Sequence, residues 1–277
     1  ETDGDMEAAV DVLRKSGAAK VEKKAGRIAA EGITRVASEG NTAVVVEVNS
    51  ETDFVAKNAV FQEFVQDVAD KALKSSVDKA GDGEDVCGIL DMKAELEEKT
   101  IVIGEKLSLR RFEKLTGDCV ASYVHGGGRI GVLLDVQTDV VNDAVKEMAK
   151  NVAMQVAALK PLYTSDSEVS AEYIEHEKEI LMAQIQNDPK ESQKPAKVIE
   201  GMITGRIKKE LKEICLLDQT YVKAEDGKQS VAKYVEQVAK ENGAKITVKG
   251  FVRYETGDGI EKKEENFAEE VAKQMAQ

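Results

Sequence analysis

The sequence is poor in the residue types on which many active sites and small folds depend. Its 277 residues include no tryptophan, only 4% aromatic residues, 3 prolines, 3 cysteines and 2 histidines. Cys87, Cys119 and Cys215 are far apart, odd in number and without a CxxC pair, which argues against a disulfide framework and a zinc ribbon. We therefore expect packed, reduced thiols and no metal site.

Long apolar runs and a targeting leader are also missing. The apolar runs are far shorter than the roughly 20 residues of a membrane span, and no basic, apolar leader opens the sequence. We therefore expect no membrane contact. The expected location is the bacterial cytoplasm or, for an organellar protein, the matrix or stroma.

The balance of charge is acidic, with 39 basic against 52 acidic residues and a net charge of −13. Nucleic-acid backbones are held by clustered lysines and arginines, so this composition disfavours nonspecific binding to nucleic acid. Lys20, Lys23, Lys24 and Arg27 form the densest basic cluster, which is typical of a solvated helix face.

Catalytic and cofactor-binding signatures are incomplete. Gly126, Gly128 and Gly131 fit G-x-G-x-x-G, but they lead into a predicted strand, whereas a dinucleotide site needs them at the start of a helix. We interpret them as a hairpin turn. His125 and the glycines after it resemble an oxyanion loop, but no G-x-S-x-G nucleophile elbow occurs. The motif that begins at His176 lacks the second zinc ligand of H-E-x-x-H. With no G-x-x-x-x-G-K-[ST] loop either, we expect neither an enzyme, nor a cofactor, nor direct nucleotide binding.

The sequence contains a related unit twice. Residues 40–48 (GNTAVVVEV) and 128–136 (GRIGVLLDV) share the spacing from the glycine to the final valine, and both are apolar, β-rich runs. Each follows another short strand candidate, at residues 33–38 and 119–125. Each unit therefore begins with a predicted β-hairpin.

Each hairpin is followed by a Thr-Asp pair and an amphipathic helix, and later by a second helix and a further strand. These elements are predicted at residues 58–74, 89–103 and 106–112 in the first unit and at 141–159, 230–241 and 244–254 in the second. The pattern favours the α+β class. We expect a duplicated subdomain in which a small antiparallel sheet carries helices on one face.

The second unit contains an insertion between its two helices. Residues 169–187 and 197–213 have helical apolar periodicity, and the connector between them contains Pro189 and Pro195. Two antiparallel helices joined in this way predict a coiled-coil hairpin. We expect it to project from the body, because it is too narrow to enclose much core.

Four motifs resemble the elongation factor Ts family and stand in that family's order. They are residues 13–31 (LRKSGAAKVEKKAGRIAAE), 50–57 (SETDFVAK), 123–133 (YVHGGGRIGVL) and 250–262 (GFVRYETGDGIEK). The resemblance covers essentially the whole chain. It implies a core of two subdomains, a coiled-coil insertion and activity as a guanine-nucleotide exchange factor for elongation factor Tu.

The resemblance also implies partner-binding residues. By similarity, Asp53 and Phe54 intrude into the nucleotide domain of elongation factor Tu and disturb its Mg²⁺ and phosphate site. Thr52 and Val55 flank this pair and hold its turn. The remaining expected contacts with the partner are Ile103, Gly104 and His125.

The implied division of the chain has five parts. They are a remnant of an N-terminal ubiquitin-associated-like (UBA-like) module with a linker at 1–31, a core N-subdomain at 32–117, a core C-subdomain at 118–165 and 216–260, the coiled-coil hairpin at 166–215 and a C-terminal helical module at 261–277. The chain matches only the last helix of the UBA-like module, which predicts a fragment, a processed product or one portion of a longer precursor.

Several of these assignments compete with plainer interpretations. Phe54 could be a core residue, as an aromatic after a strand often is. However, the second unit has Val140 at the position that we match to Phe54, so the fold itself does not require an aromatic there. His125 could be a hydrogen-bonded turn residue, and Ile103 a core residue at a helix end. The alternative function is a ribosome- or RNA-associated adaptor, against which the acidic charge and scarce aromatics argue.

Overall fold

The computed structural model describes residues 21–81 and 83–261 of the chain. The strands form two antiparallel sheets, one for each predicted unit. The first sheet contains β1 (Glu31–Glu39), β2 (Thr42–Ser50), β3 (Lys79–Ala80) and β4 (Ser108–Thr116), in the order β1-β2-β4-β3. The second contains β5 (Cys119–His125), β6 (Ile130–Thr138) and β7 (Ile246–Glu255), in that order. This mixture of helices and antiparallel sheets confirms the predicted α+β class.

The helices fall into the same two groups. Those of the first unit are α1 (Asp53–Ala56), α2 (Ala59–Lys74), α3 (Val86–Ile89) and α4 (Lys93–Ile103). Those after β6 are α5 (Asp143–Leu159), α6 (Ala171–Asn187), α7 (Ala196–Ile214) and α8 (Val231–Asn242), with 3-10 turns at Asp166–Glu168 and Leu216–Asp218. Asn58, Asn142 and Ser230 begin α2, α5 and α8, because each side chain accepts a hydrogen bond from a backbone N–H of the first turn.

The two sheets pack face to face, so the body has four layers. One face of the first sheet packs on α2, and one face of the second packs on α5 and α8. Between the sheets, Ala43 and Val45 of β2 contact Leu133, Val252 and Tyr254 of the second sheet. Helices on one face of each sheet confirm the prediction, whereas burial of the other face against a second sheet was not predicted.

The two units correspond in a local irregularity of their sheets. Strand β2 pairs with β4 and strand β6 pairs with β7, and the register of each pairing shifts once. The shift lies between Glu47 and Val48 in β2 and between Asp135 and Val136 in β6, which are equivalent positions. A β-bulge at the same place in both sheets supports the predicted duplication.

Two predicted elements of the first unit differ in the structure. The helix predicted at 89–103 begins later, as α4, and the short helix α3 precedes it, because Asp91 between them has a left-handed backbone (φ 51°) that prevents one continuous helix. The strand predicted at 106–112 begins later and continues to Thr116, because its second half still pairs with β2, as far as Thr42.

A buried carboxylate joins the two sheets at one end. Glu47 of β2 is 1% exposed. Its oxygens accept hydrogen bonds from Arg110 Nη1 (3.0 Å), Arg111 Nε (2.6 Å) and the backbone N–H of Gly257 after β7 (2.8 Å). Because this charged acceptor is removed from water, each bond is strong and its loss destabilising. The loop after β7 is thereby fixed to the first sheet.

Helices α6 and α7 pack against each other around a small core of their own. Ile185, Ile203 and Ile207 are its buried residues. Tyr173 Oη donates a hydrogen bond of 2.6 Å to Glu210 Oε1 across the pair. The two helices predicted for the insertion are thus present, close to their expected ends.

Some predicted features lie outside these elements. Residues 1–20 of the UBA-like remnant and 262–277 of the C-terminal module are outside the described residues. Within the described ranges, no helix combines the length and the apolar character needed to cross a membrane. Cys119 and Cys215 are buried and Cys87 is half-buried, all as free thiols, which agrees with the predicted packed cysteines.

Candidate functional site

The helical turn α1 directs one side chain outward and the next one inward. Phe54 is 79% exposed, whereas Val55 is 8% exposed and packs into the core between the first sheet and α2. A ring at that exposure is not part of the core, so the structure excludes the core interpretation of Phe54. Burial of Val55 anchors the segment, which we name the Phe54 turn (residues 52–57).

Asp53 lies beside Phe54 and is held by an ion pair within the same turn. Lys57 Nζ is 2.8 Å from Asp53 Oδ2, and this hydrogen bond lowers the pKa of the Asp53 carboxyl below its ordinary value. The turn closes through backbone hydrogen bonds from Lys57 N to Phe54 O (3.2 Å) and from Asn58 N to Val55 O (2.9 Å). The tip therefore presents an apolar ring next to a charged pair.

Two carboxylates fix the base of the turn. Glu105, just after α4, accepts hydrogen bonds from the Thr52 hydroxyl (2.6 Å) and from the backbone N–H groups of Thr52 and Glu51 (both 3.0 Å). Glu51 in return accepts a hydrogen bond from the backbone N–H of Lys106 at 2.6 Å. We name this pair the carboxylate clamp (Glu51 and Glu105). It was not predicted, because nothing in the local sequence distinguishes these two among 52 acidic residues.

The clamp brings the end of α4 beside the Phe54 turn. Gly104 ends the helix in a left-handed conformation (φ 85°) and directly precedes Glu105. Ile103 is half-buried against the first core, so it contributes to packing at the helix end. Val102 is 64% exposed. The end of α4 thus has exposed apolar surface at Val102, and it is joined to the base of the Phe54 turn through Glu105.

His125 lies at the end of β5, where the chain turns into β6. It is exposed, and its Nδ1 is 3.1 Å from Tyr123 Oη. The three glycines after it have positive φ and form the connection between two strands, which confirms the predicted hairpin turn. The carbonyl of Gly128 accepts hydrogen bonds from the N–H (2.7 Å) and the hydroxyl (2.9 Å) of Thr34 in β1. This connection, which we name the His125 turn (residues 125–128), is therefore docked on the first sheet.

The Phe54 turn and the His125 turn lie at the same end of the two sheets. The His125 turn contacts β1 near its start, and the start of β1 pairs with the end of β2, with Glu31 opposite Ser50. Strand β2 leads directly into the Phe54 turn. A Cβ added at Gly128 would lie 2.8 Å from a side chain of β1, so the close approach requires glycine.

The match between the two units has to be corrected at this site. Ser50 and Thr138 occupy equivalent strand positions, and each hydroxyl donates to the carbonyl two residues on. Ser50 Oγ is 3.0 Å from Thr52 O, and Thr138 Oγ1 is 2.9 Å from Val140 O. Val140 therefore corresponds to Thr52 and not to Phe54. The first unit has an additional helical turn of 4 residues before its long capped helix, and Phe54 has no counterpart.

The site has the features of a contact surface for another protein. Within residues 21–81 and 83–261, no three potential metal ligands come together. The site offers instead an exposed aromatic ring on a fixed turn, beside the charged pair Asp53 and Lys57. Aromatic anchors of this kind concentrate binding energy at protein–protein interfaces. The site thus presents an exposed surface that is formed by the fold itself.

Comparison with known proteins shows the family. The family model described as Elongation factor TS matches residues 51–258. Elongation factor Ts of Clostridioides difficile (strain 630) is 50% identical over 286 aligned residues, which cover 99% of this chain and 90% of the relative. Elongation factor Ts of Clostridium perfringens (strain 13 / Type A) is 48% identical over 279 residues, covering 99% and 90%. That of Clostridium novyi (strain NT) is 46% identical over 291 residues, covering 100% and 91%. The chain belongs to the elongation factor Ts family.

Proposed function

We propose that this protein is a guanine-nucleotide exchange factor that binds elongation factor Tu with GDP and promotes GDP release during translation elongation. Membership of the elongation factor Ts family supports the activity. The observation that carries the mechanism is the exposure of Phe54, 79%, on a turn that is held at both ends. Water is an unfavourable environment for an aromatic ring, so this position suits burial in a partner.

The proposed mechanism involves no covalent step. A GTPase holds its nucleotide through the phosphates and Mg²⁺, so a binder promotes release by favouring a conformation in which those contacts are disturbed. Phe54 supplies apolar area at the centre of the interface. Asp53 supplies a charge that repels phosphate and competes for its polar partners. By linkage, the factor weakens GDP binding as much as GDP weakens binding of the factor. No catalytic side chain, cofactor or nucleotide site is needed in the factor itself.

The proposed contact surface extends beyond the intruding pair. Thr52 and Val55 position the turn, while Ile103, Gly104 and His125 make further contacts with elongation factor Tu. Their support is geometric, since the carboxylate clamp joins the end of α4 to the Phe54 turn and the His125 turn is docked at the same end of the sheets.

The proposed domain organisation has a core N-subdomain at 32–117 and a core C-subdomain at 118–165 and 216–260. The segment 166–215 is a coiled-coil hairpin, supported by the separate apolar cluster of α6 and α7. We place the protein in the bacterial cytoplasm, since its relatives are bacterial. We expect no binding to nucleic acid or membranes.

Stopped-flow release of fluorescent GDP from elongation factor Tu, with and without this protein, tests the proposal. We expect a release rate that rises with the concentration of this protein and then saturates. Binding to elongation factor Tu without faster release would refute exchange and favour the adaptor. Calorimetry of the isolated protein with GDP and GTP gives a second check, because stoichiometric binding of either nucleotide would contradict the proposed mechanism.

A further inference from the structure

The two units of the duplicated fold differ at a side chain that touches the Phe54 turn. Helices α4 and α8 both end at a left-handed glycine, Gly104 and Gly243, and the chain then enters β4 or β7. The residue after the glycine is Glu105 in the first unit and Ala244 in the second. The duplication therefore provides an internal comparison for the carboxylate clamp.

One half of the clamp is common to both units. Glu51 accepts a hydrogen bond from the backbone N–H of Lys106 at 2.6 Å. At the equivalent place in the second unit, Asp139 Oδ1 accepts one from the backbone N–H of Lys245 at 2.7 Å. This bond ties the end of the hairpin to the start of β4 in the first unit and to the start of β7 in the second. It therefore belongs to the fold itself.

The other half of the clamp, Glu105, is found only in the first unit, which also has the additional helical turn α1. Glu105 accepts three hydrogen bonds from Glu51 and Thr52, whereas the methyl group of Ala244 can accept none. Thr52 is the cap residue of α1, but its side chain accepts no capping bond from that helix. Its hydroxyl donates to Glu105, so the side chain is held from outside the helix. A turn of 4 residues is far too short to be stable alone. It therefore needs support from outside.

We propose that Glu105 is a positioning residue for nucleotide exchange. Acting through Thr52, it fixes the Phe54 turn in the orientation in which the ring enters the partner, and it joins that turn to the end of α4 as one surface. This role rests on the proposed exchange function. A turn that is ordered before binding loses little conformational freedom in the complex. Without Glu105, the turn has to be ordered at each encounter.

The test replaces the acceptor and then its donor. Glu105→Ala gives the first unit the side chain that the second unit has at Ala244, so the fold should tolerate it with little change in melting temperature. The second-order rate constant for GDP release should nevertheless fall by on the order of tenfold. Thr52→Val, which removes the hydroxyl donor, should also slow GDP release. Thr52→Ser keeps that donor, so it should release GDP at about the wild-type rate. The double variant should be no slower than Glu105→Ala alone, because both changes break the same contact.

A matched control is available on α4. Glu98 is exposed and pairs with its neighbour Lys99 at 3.2 Å. Glu98→Ala removes a carboxylate of the same helix without touching the Phe54 turn, and release should stay at the wild-type rate. An equal loss in Glu98→Ala and Glu105→Ala would indicate a general effect of charge and overturn the positioning role.

Amide hydrogen exchange of the free protein provides a readout that does not involve the partner. In Glu105→Ala, the amides of Glu51 and Thr52 should exchange faster, because they lose their acceptor. The amide of Lys106 should remain protected by Glu51. Unchanged protection at Thr52, or faster exchange there with undiminished GDP release, would overturn the proposal. A wild-type protein without exchange activity would refute the proposed function itself, whereas loss confined to the clamp variants supports both.

Discussion

Replacing Phe54 by alanine separates partner binding from folding, because the ring is 79% exposed. Only about a fifth of its surface lies against the protein, so truncation should lower the free energy of unfolding by less than about 1 kcal/mol. If the ring is the anchor in elongation factor Tu, the same change should weaken binding or release by about 1–4 kcal/mol. That range corresponds to a loss of about 5-fold to 800-fold. Urea unfolding measures the first quantity, and stopped-flow release of fluorescent GDP measures the second.

The matched control is Phe61, which lies one helix further on and is 0% exposed. Phe61→Ala should lower the free energy of unfolding by about 3–5 kcal/mol, as expected for a cavity in the core. Its folded fraction should still exchange nucleotide normally. The reasoning fails if Phe54→Ala melts far below the wild type while its folded molecules exchange normally, or if the substitution alters neither quantity.

Three other perturbations have defined outcomes. Asp53→Ala should slow exchange less than Phe54→Ala does, because an interface charge tunes encounter more than affinity; release kinetics at several salt concentrations measure this. Since Lys57 lowers the pKa of Asp53, that ion pair is complete above the ordinary pKa of aspartate and is lost as the pH falls through the lowered value. A pH series should therefore show no pH dependence from Asp53 near neutrality, and its effect on exchange should be lost only at acidic pH, below the ordinary pKa of aspartate. Glu47→Ala should lower the free energy of unfolding by about 3–5 kcal/mol, because its arginine partners lose their counter-charge, and a urea titration showing a negligible change would contradict this. Replacing residues 169–213 by a short Gly/Ser bridge should leave one cooperative thermal transition, because α6 and α7 have their own core; a broadened transition would show that the hairpin belongs to the main core.

The second sheet that covers the first was predictable from one strand, although it was not predicted. Residues 43–46 of β2 read AVVV, an unbroken apolar run where a strand with one exposed face would alternate. Glu47 obscured this signal, because a carboxylate ordinarily favours the surface. The arginines that neutralise it are 63 and 64 positions away in the chain. Local sequence patterns therefore could not predict these ion pairs.

The exposed turn and the clamp that supports it were not equally predictable. The Phe54 turn carries a local motif, SETDFVAK, which can be found in sequence alone. Glu105 acts across 53 positions of the chain, and only the folded structure brings it to Thr52. The mistaken match of Val140 with Phe54 had a different cause. A Thr-Asp pair follows both hairpins, and we aligned the two units on that pair. The register of the strands instead aligns Thr138 with Ser50.

The docking of the His125 turn on β1 bears on which molecule would change shape in the proposed complex with elongation factor Tu. The Gly128 carbonyl accepts hydrogen bonds from Thr34 and from the Thr256 hydroxyl, while Glu47 bonds the adjoining layers together. These bonds oppose any swing of one half of the body against the other at this end. When two proteins associate, the one whose conformation changes at the lower free-energy cost undergoes the larger change. In the proposed mechanism, a rigid factor would shift most of the conformational change of association to elongation factor Tu and so favour the conformation with weakened nucleotide contacts.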